Sequence, residues 1–407
     1  APDAVIDLND VSSITFSWTP LAGAEGYTLR LSTSQEMTNP RSIYLDDFPF
    51  YRQTADEMYD HLHLLGIGYA LTDLYWTVDD INGEPVTEPA KIQIRKRPKG
   101  TFTTLVGNGS ANMVTDKKLS EKEAVVHARS LVVDGNKNVL AFQRDNSVYR
   151  AVYISEAKDT VALRGAENLT VNNAVVDPAT NIIYAGVDHS AGKYWVYDPV
   201  DDWMPKFVEY TGEIPTTPTD KHATGIAYHN GYLYLKYTGN ANLYRVNLST
   251  NVSEIVNTKM WNLQGMAINP VDGKLYFTSI NTVESHKDGV YAVDLSSGGD
   301  PQPVALVDNG TGEPNTFNTP ERICFAADGT GYVVCRYGKH AVFMIAPDGG
   351  FIKLTGNGSG HVDGELSAVK MNGPMGIAVA ADGTLYIAEN GSPFYIRKYS
   401  PYVPSED

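Results

Sequence analysis

The sequence predicts an all-β chain of two parts, a small β-sandwich followed by a ring of repeated sheets. Three observations carry that expectation. Short runs of alternating apolar and polar residues fill the chain, the pattern of half-buried strands. Asp134-Gly135, Asn230-Gly231, Asp272-Gly273, Asp328-Gly329 and Asp382-Gly383 each sit between two such runs, a strong hairpin signal. The strand–turn–strand unit also repeats, with first strands beginning near residues 131, 174, 226, 266, 323 and 377. Sheets of about four strands recurring every ~40–50 residues mark a β-propeller, here of six blades.

Composition sets the outer bounds. The chain has 407 residues, 42% apolar and 20% charged. That is a globular composition, long enough for two or three domains. Lys plus Arg is 32 against 48 Asp plus Glu, a net charge of −16, with no basic block beyond Arg95-Lys96-Arg97. Such a chain is a poor partner for nucleic acid or an anionic membrane. No apolar run approaches the ~18 residues a membrane span needs. The chain begins at Ala1 rather than Met. We expect that a segment was removed upstream, which leaves room for a lipid anchor there. Two cysteines in the whole chain make no disulfide framework and leave the compartment open.

Residues 1–98 form the first domain. Ile14–Trp18, Tyr27–Leu31, Leu74–Val78 and Ala90–Arg95 alternate with period two, as strands of a small sandwich around a buried tryptophan do. Thr54-Ala55-Asp56-Glu57 reads as a capping box, with Met58, Tyr59, Leu62 and Leu65 at helical spacing and Gly66 as the stop. A short helix is expected there. His61 and His63, two apart on it, point to divergent faces and cannot chelate together. Arg95 to Lys99, containing Pro98, reads as a linker.

Residues 99–407 form the ring. The clearest unit is Gly376–Val379, the turn Asp382-Gly383, then Leu385–Glu389. Gly265–Ile268, Gly225–Tyr228, Arg322–Phe325 and Asn173–Val176 begin matching units, and Ser130–Val133 begins a weaker one. Third strands follow at 148–150, 194–197, 243–246, 290–293, 341–344 and 395–398. A strand precedes the first unit and the last unit has only three. Thr101 to Val106 is therefore expected to complete the last blade beside Tyr395 to Tyr399, removing two exposed edges.

The last unit carries a resemblance. Lys353-Leu354-Thr355-Gly356-Asn357-Gly358, Asp363-Gly364, Gly373-Pro374-Met375-Gly376-Ile377-Ala378-Val379, Asp382 through Asn390, and Ile396-Arg397-Lys398 resemble an NHL repeat. The family's repeats carry aspartate where this chain has Glu389. The resemblance spans about residues 100–400. The first domain resembles a fibronectin type III module. It is most similar to the module at the N-terminus of glycan-binding surface lipoproteins of starch-utilisation-type systems. These resemblances imply an extracytoplasmic protein, at the cell surface or in the periplasm, that binds carbohydrate or a partner protein. Gly356-x-Gly358-x-Gly360 is not followed by a helix pattern, so it lacks the context of a phosphate-binding loop.

Loops from all blades of a propeller converge on one face, where a site is expected. Aligning the units places Arg129, Asn172, Thr224, Gln264, Glu321 and Met375 one residue before the glycine-like position. His127 and His222 stand two residues earlier in their units. Second strands end at Gln143, Val187, Tyr237, Ser279, Cys335 and Glu389, with Arg144, Asp188, Arg336 and Asn390 just beyond. His189, His286 and His340 follow in those loops. The candidate rim is His127, Arg129, Arg144, His189, His222, Tyr237, Glu321, Arg336, His340 and Glu389, with Arg129 and Arg336 suited to orient a polar or carboxylated ligand.

No histidine pair has a short metal-ligand spacing, and no Gly-x-Ser-x-Gly elbow occurs. No catalytic residue, cofactor or metal is assigned. Non-catalytic binding is the first expectation. A metal-assisted hydrolase or lyase is the alternative, because channel ligands drawn singly from different blades leave no local motif. Two further expectations can be checked. The stretch 198–220 reads as a solvated insertion whose Trp203 and Tyr210 are candidates for a stacking platform. Cys324 is expected opposite Val333, with Cys335 its diagonal neighbour on the same face. Diagonal positions are ~7–8 Å apart, so two free thiols are predicted.

Overall fold

The computed structural model describes residues 4–110, 119–145, 148–165, 171–187, 191–215, 223–261, 263–280, 288–308 and 317–404. Two sheets and one helix lie at the N-terminal end. Val5–Asp7, Ala90–Arg95, Thr72–Asp80, Tyr27–Ser32 and Arg41–Leu45 form one sheet in that spatial order, and Ser13–Ser17 pairs with Phe50–Thr54 in the other. Ile14, Phe16, Trp18, Leu29, Leu31, Leu74 and Ile94 share one core with Met58 and Leu62 of the helix. The helix Ala55–Leu64 starts as its sequence dictates. Thr54 Oγ1 accepts from the Glu57 amide, and the Glu57 carboxylate accepts from the Thr54 amide. Gly66, at φ 72°, turns the chain out of it.

Six sheets follow. Their first strands are Ala128–Val133, Val171–Val176, Ala223–His229, Gly265–Ile268, Pro320–Phe325 and Pro374–Val379. Each first strand packs against that of the next sheet, and the sixth packs against the first. This is a propeller-type all-β architecture. Every Asp-Gly or Asn-Gly pair noted above joins a first strand to a second. The aspartate fixes the turn: Asp272, Asp328 and Asp382 each accept from the amide two residues on.

The core lies between the sheets, as six apolar clusters each shared by two neighbours. Middle strands are therefore covered on both faces. That is why Gly331–Cys335 and Ala341–Ile345 read as continuous apolar runs and are buried throughout. The ring closes through the strand Gly100–Val106, which pairs antiparallel with Tyr395–Pro401 from Pro401↔Gly100 to Ile396↔Val106. This is the closure read from the repeat phase.

Three expectations need correction. The stretch after Asp198 is no solvated insertion, because Pro205–Glu209 is the fourth strand of the second sheet. Trp203 and Tyr210 are buried and offer no platform. Trp203 packs near Tyr153, and the Tyr210 hydroxyl bonds that of Tyr237 at 2.8 Å. Arg95 to Lys99 is no open linker, since Arg95 and Lys96 are buried. Arg95 reaches across to the turn between the strands Ala341–Ile345 and Gly350–Thr355 of the fifth sheet, its Nη1 and Nη2 donating to the Asp348 carboxylate at 2.9 and 2.8 Å. The cysteine register is displaced by one residue: Cys324 faces Tyr332, and Cys335 faces Pro320. The hairpin turn sets this register, from Phe325↔Gly331 through Cys324↔Tyr332 to Ile323↔Val333, so the two thiols join different inter-sheet cores. Both are free.

Candidate functional site

The first strands share a device that no periodicity reveals. In the first, third and sixth sheets the pairing steps from Ala128 to Ser130, from Ala223 to Gly225 and from Pro374 to Gly376. Arg129, Thr224 and Met375 are thus left out of the ladder. In the second and fifth sheets the irregularity spans Val171 to Ala174 and Pro320 to Ile323, taking in Glu321 and Arg322. A bulge bends its strand and re-aims the extra side chain. In these five sheets the position before the glycine-like residue, picked out by alignment, falls in the irregularity, while the fourth sheet pairs regularly.

Three guanidiniums and one carboxylate meet around these bulges. Glu321 is only 5% exposed, and its Oε1 lies 4.0 Å from Arg336 Nη1. Burial raises the Glu321 pKa, while the nearby Arg322, Arg336 and Arg129 act to lower it. Burial pushes Arg322 down to about 10, Arg129 adds to that, and Glu321 opposes it. Arg322 therefore stays cationic at neutral pH. Arg322 Nη1 donates to the Gln264 carbonyl. Gly265 makes room for it, because a Cβ there would lie 2.8 Å from Arg322 Cδ and 3.0 Å from the Glu321 carbonyl oxygen. Gly376 likewise admits the Arg129 backbone, whose carbonyl oxygen would be 3.2 Å from an added Cβ. The Arg336 guanidinium lies over the ring of Tyr337, 4.4 Å from its centroid, and that ring is 54% exposed.

The other candidates divide into three groups. His127 and His340 lie beside the bulges. The His127 ring stacks on Phe394 and its Nε2 donates to Asn390 Oδ1, while His340 Nδ1 accepts from the Gly373 amide at 3.0 Å. The second group is interior. Tyr237 and Glu389 are fully buried, because the end of each second strand pairs with the residue before the bulge, as in Ala223↔Tyr237 and Pro374↔Glu389. Glu389 Oε1 accepts from Arg397 Nη1 at 2.7 Å. Third, His189 and His222 lie outside the described residues, as does the side chain of Arg144 in the strand Val139–Asp145. Among the described residues no group of three His, Cys, Asp or Glu side chains is placed to hold a metal ion, and no helix is long and apolar enough to cross a membrane.

Arg322 is absent from the candidates drawn from sequence. It occupies the slot held by Gly225, Gly265 and Gly376 in other units. A long cation where its counterparts are glycine was the signal for it.

No protein-family model matches the chain, and no curated protein matches it in sequence. Solved structures do match its fold. A protein of unknown function from Bacteroides thetaiotaomicron VPI-5482 superposes with a TM-score of 0.66 at 17% identity, over 98% of this chain and 96% of that one. An auxiliary nutrient binding protein from the same organism gives a TM-score of 0.57 at 14% identity, over 96% and 94%. A putative phosphatase from it gives 0.57 at 12% identity, over 98% and 96%. These likenesses extend along nearly the whole chain and are likenesses of a propeller-type fold.

Proposed function

We propose that this chain is a non-catalytic extracytoplasmic binding protein, at the cell surface or in the periplasm, that holds a glycan or a partner protein at the mouth of its ring. In this reading the six sheets are the blades of a six-bladed NHL-type propeller over 99–407. Residues 1–98 are a fibronectin type III-like module seated on it. What supports the reading is the set of register shifts in the first strands, which fall at Arg129 and at Glu321 and Arg322, with Arg336 4.0 Å from Glu321; we take these as lying at one mouth. Convergent polar groups at the end of a ring of loops are the usual setting of a ligand site. The extracytoplasmic assignment draws support from the full-length likeness in fold to a nutrient binding protein.

A glycan array beside metal analysis tests it, on the wild-type chain and on one carrying Arg129→Ala with Arg336→Ala. Binding by the wild type that drops by tenfold or more in the variant is the expected result, the scale of one lost charge-assisted hydrogen bond. Equal binding by both would remove this mouth as the site. A stoichiometric metal with turnover would instead favour a hydrolase or lyase.

A further inference from the structure

We infer that the N-terminal module docks a basic, extended segment of a partner protein at the end it turns away from the ring, on Leu21, Phe48, Phe50 and Ile81. This surface is separate from the mouth, and the inference does not depend on what the mouth holds. The strands of the module fix which end it is. At one end the Leu71 amide and the Arg95 guanidinium donate to Asp348, and the Tyr59 hydroxyl donates to the Tyr402 carbonyl. At the other end Tyr27 pairs with both Leu45 and Asp80, and Phe50 pairs with Ser17. The three connections that cross this second end touch one another. The Leu21 amide donates to the Tyr27 hydroxyl at 3.0 Å, and the Trp18 amide to the Pro49 carbonyl at 3.1 Å. A Cβ on Gly26 would lie 2.9 Å from the Leu45 carbonyl oxygen and 3.7 Å from Ile81 Cδ1.

Leu21, Phe48, Phe50 and Ile81 are each at least half exposed, and the Phe48 and Phe50 ring centroids are 6.1 Å apart. Exposed apolar side chains scattered singly mean little, but four gathered at one end of a module mark a contact surface. Charge selects the occupant. Residues 18–27, 44–50 and 79–85 contain Glu25, Asp46, Asp47, Asp79, Asp80 and Glu84, and no Lys, Arg or His. Asp79 is buried against Arg30, and Asp80 holds the amides of Asn82 and Glu84 in its turn. Glu25, Asp46, Asp47 and Glu84 stay exposed. Arg52, two residues past Phe50, bonds Ser13 Oγ and so leans away from this end. An acidic rim of this kind repels an anionic bilayer and repels its own copy in a two-fold pairing, and it attracts a cationic chain. The form of that chain is set by the strand Arg41–Leu45. Among the described residues this strand is last in its sheet and pairs only with Tyr27–Ser32, so its outer edge accepts an added strand. A segment laid along it reaches Asp46, Asp47 and Phe48, which follow it in the chain.

Three short labelled peptides test this on the full chain by fluorescence anisotropy. One alternates lysine with valine, one alternates glutamate with valine, and one alternates lysine with serine. The lysine–valine peptide should bind about tenfold tighter than either of the others, with its lead over the glutamate peptide shrinking as salt rises. Phe48→Ser with Phe50→Ser should weaken it by about tenfold or more, the scale of lost aromatic anchors. Asp46→Asn with Asp47→Asn should weaken it by about threefold or more at low salt, as loss of exposed charge pairs does. An unchanged urea midpoint in each variant separates these losses from misfolding. Hydrogen exchange in the presence of the peptide should slow across residues 41–50 and stay unchanged in the ring. Equal binding of the three peptides, binding of none, or protection confined to the ring would overturn the inference. So would uptake of the chain by phosphatidylcholine vesicles, or a dimer in sedimentation, that the Phe48→Ser, Phe50→Ser variant abolishes, since a membrane or a second copy would then be the occupant.

Discussion

Removing the guanidinium of Arg397 should be among the most damaging single changes in the ring. Arg397 is fully buried, on the third strand of the sixth sheet, Tyr395–Pro401. Its Nη1 donates to Glu389 Oε1 at 2.7 Å and to the Lys370 carbonyl at 3.1 Å. Its Nη2 donates to the Val362 carbonyl at 2.9 Å and to Asp363 Oδ1 at 2.6 Å. Arg397→Met would leave the Glu389 carboxylate with no exposure and only the His361 ring nearby, 3.7 Å away. Breaking a buried pair from one side costs ~3–5 kcal/mol, because the remaining charge is stranded. Asp363 is a different case. Its side chain is 42% exposed, so Asp363→Asn should cost about 1 kcal/mol or less. Urea unfolding of the three proteins measures both values. The double variant Arg397→Met with Glu389→Leu should recover most of the loss, since apolar replacement of both partners is often near neutral. A single Arg397→Met cost below ~1 kcal/mol, or a double variant as unstable as the sum of its parts, would refute the reasoning.

Other expected outcomes follow from the same geometry. Burial and the neighbouring Glu156 and Asp159 push Glu121 up to about 7 from its ordinary 4.5. The folded state therefore holds an extra proton, so its contribution is full below pH 4.5 and is lost as pH rises through about 7; Glu121→Gln should flatten that slope in urea midpoints measured across the window. Burial raises the pKa of both Cys324 and Cys335, so a thiol reagent such as DTNB should find no reactive group in the native protein and two per chain after denaturation. Gly265→Ala should cost ~1–3 kcal/mol by overpacking, because its Cβ would meet Arg322 Cδ at 2.8 Å; an unchanged unfolding midpoint would show that Arg322 is free to move. Asp348→Ala should cost ~1.5–3 kcal/mol and expose the Lys96–Lys99 stretch to protease, since Arg95 would lose its paired bonds to that carboxylate.

The strands that the sequence reveals are those whose burial leaves a pattern. Leu385–Glu389 and its counterparts are covered on both faces and flanked by Asp-Gly turns, so composition and turn chemistry agree. Fourth strands are harder to see. Pro205–Glu209 is largely open to solvent on its outer edge, and Gln302–Pro303 is exposed, so neither needs an apolar run. Long-range pairing is invisible in a local window: Arg95 looks like part of a charged linker because its partner, Asp348, lies in the fifth sheet. The site was half legible. Alignment found the column of Arg129 and Glu321, because repeats conserve phase within one chain. It placed Tyr237 and Glu389 at the same level as that column, because a one-residue bulge leaves no mark in composition. The Asp328-Gly329 turn, which pairs Phe325 with Gly331, set Cys324 opposite Tyr332 rather than Val333.

The closing strand has a consequence for how the protein is made. Gly100–Val106 lies first in the ring by sequence, yet its partner Tyr395–Pro401 is the last strand of all. At ~5–20 residues per second of synthesis, the first of these strands leaves the ribosome roughly 15–60 s before the second. For that interval the early sheets can form in order while Gly100–Val106 offers an unpaired edge. Tying together ends so far apart costs ~5 kcal/mol of chain entropy, from the logarithmic dependence on loop length. Ring assembly is therefore expected to finish only once Tyr395–Pro401 has been made, with the final docking step the one most exposed to mispairing between nascent copies.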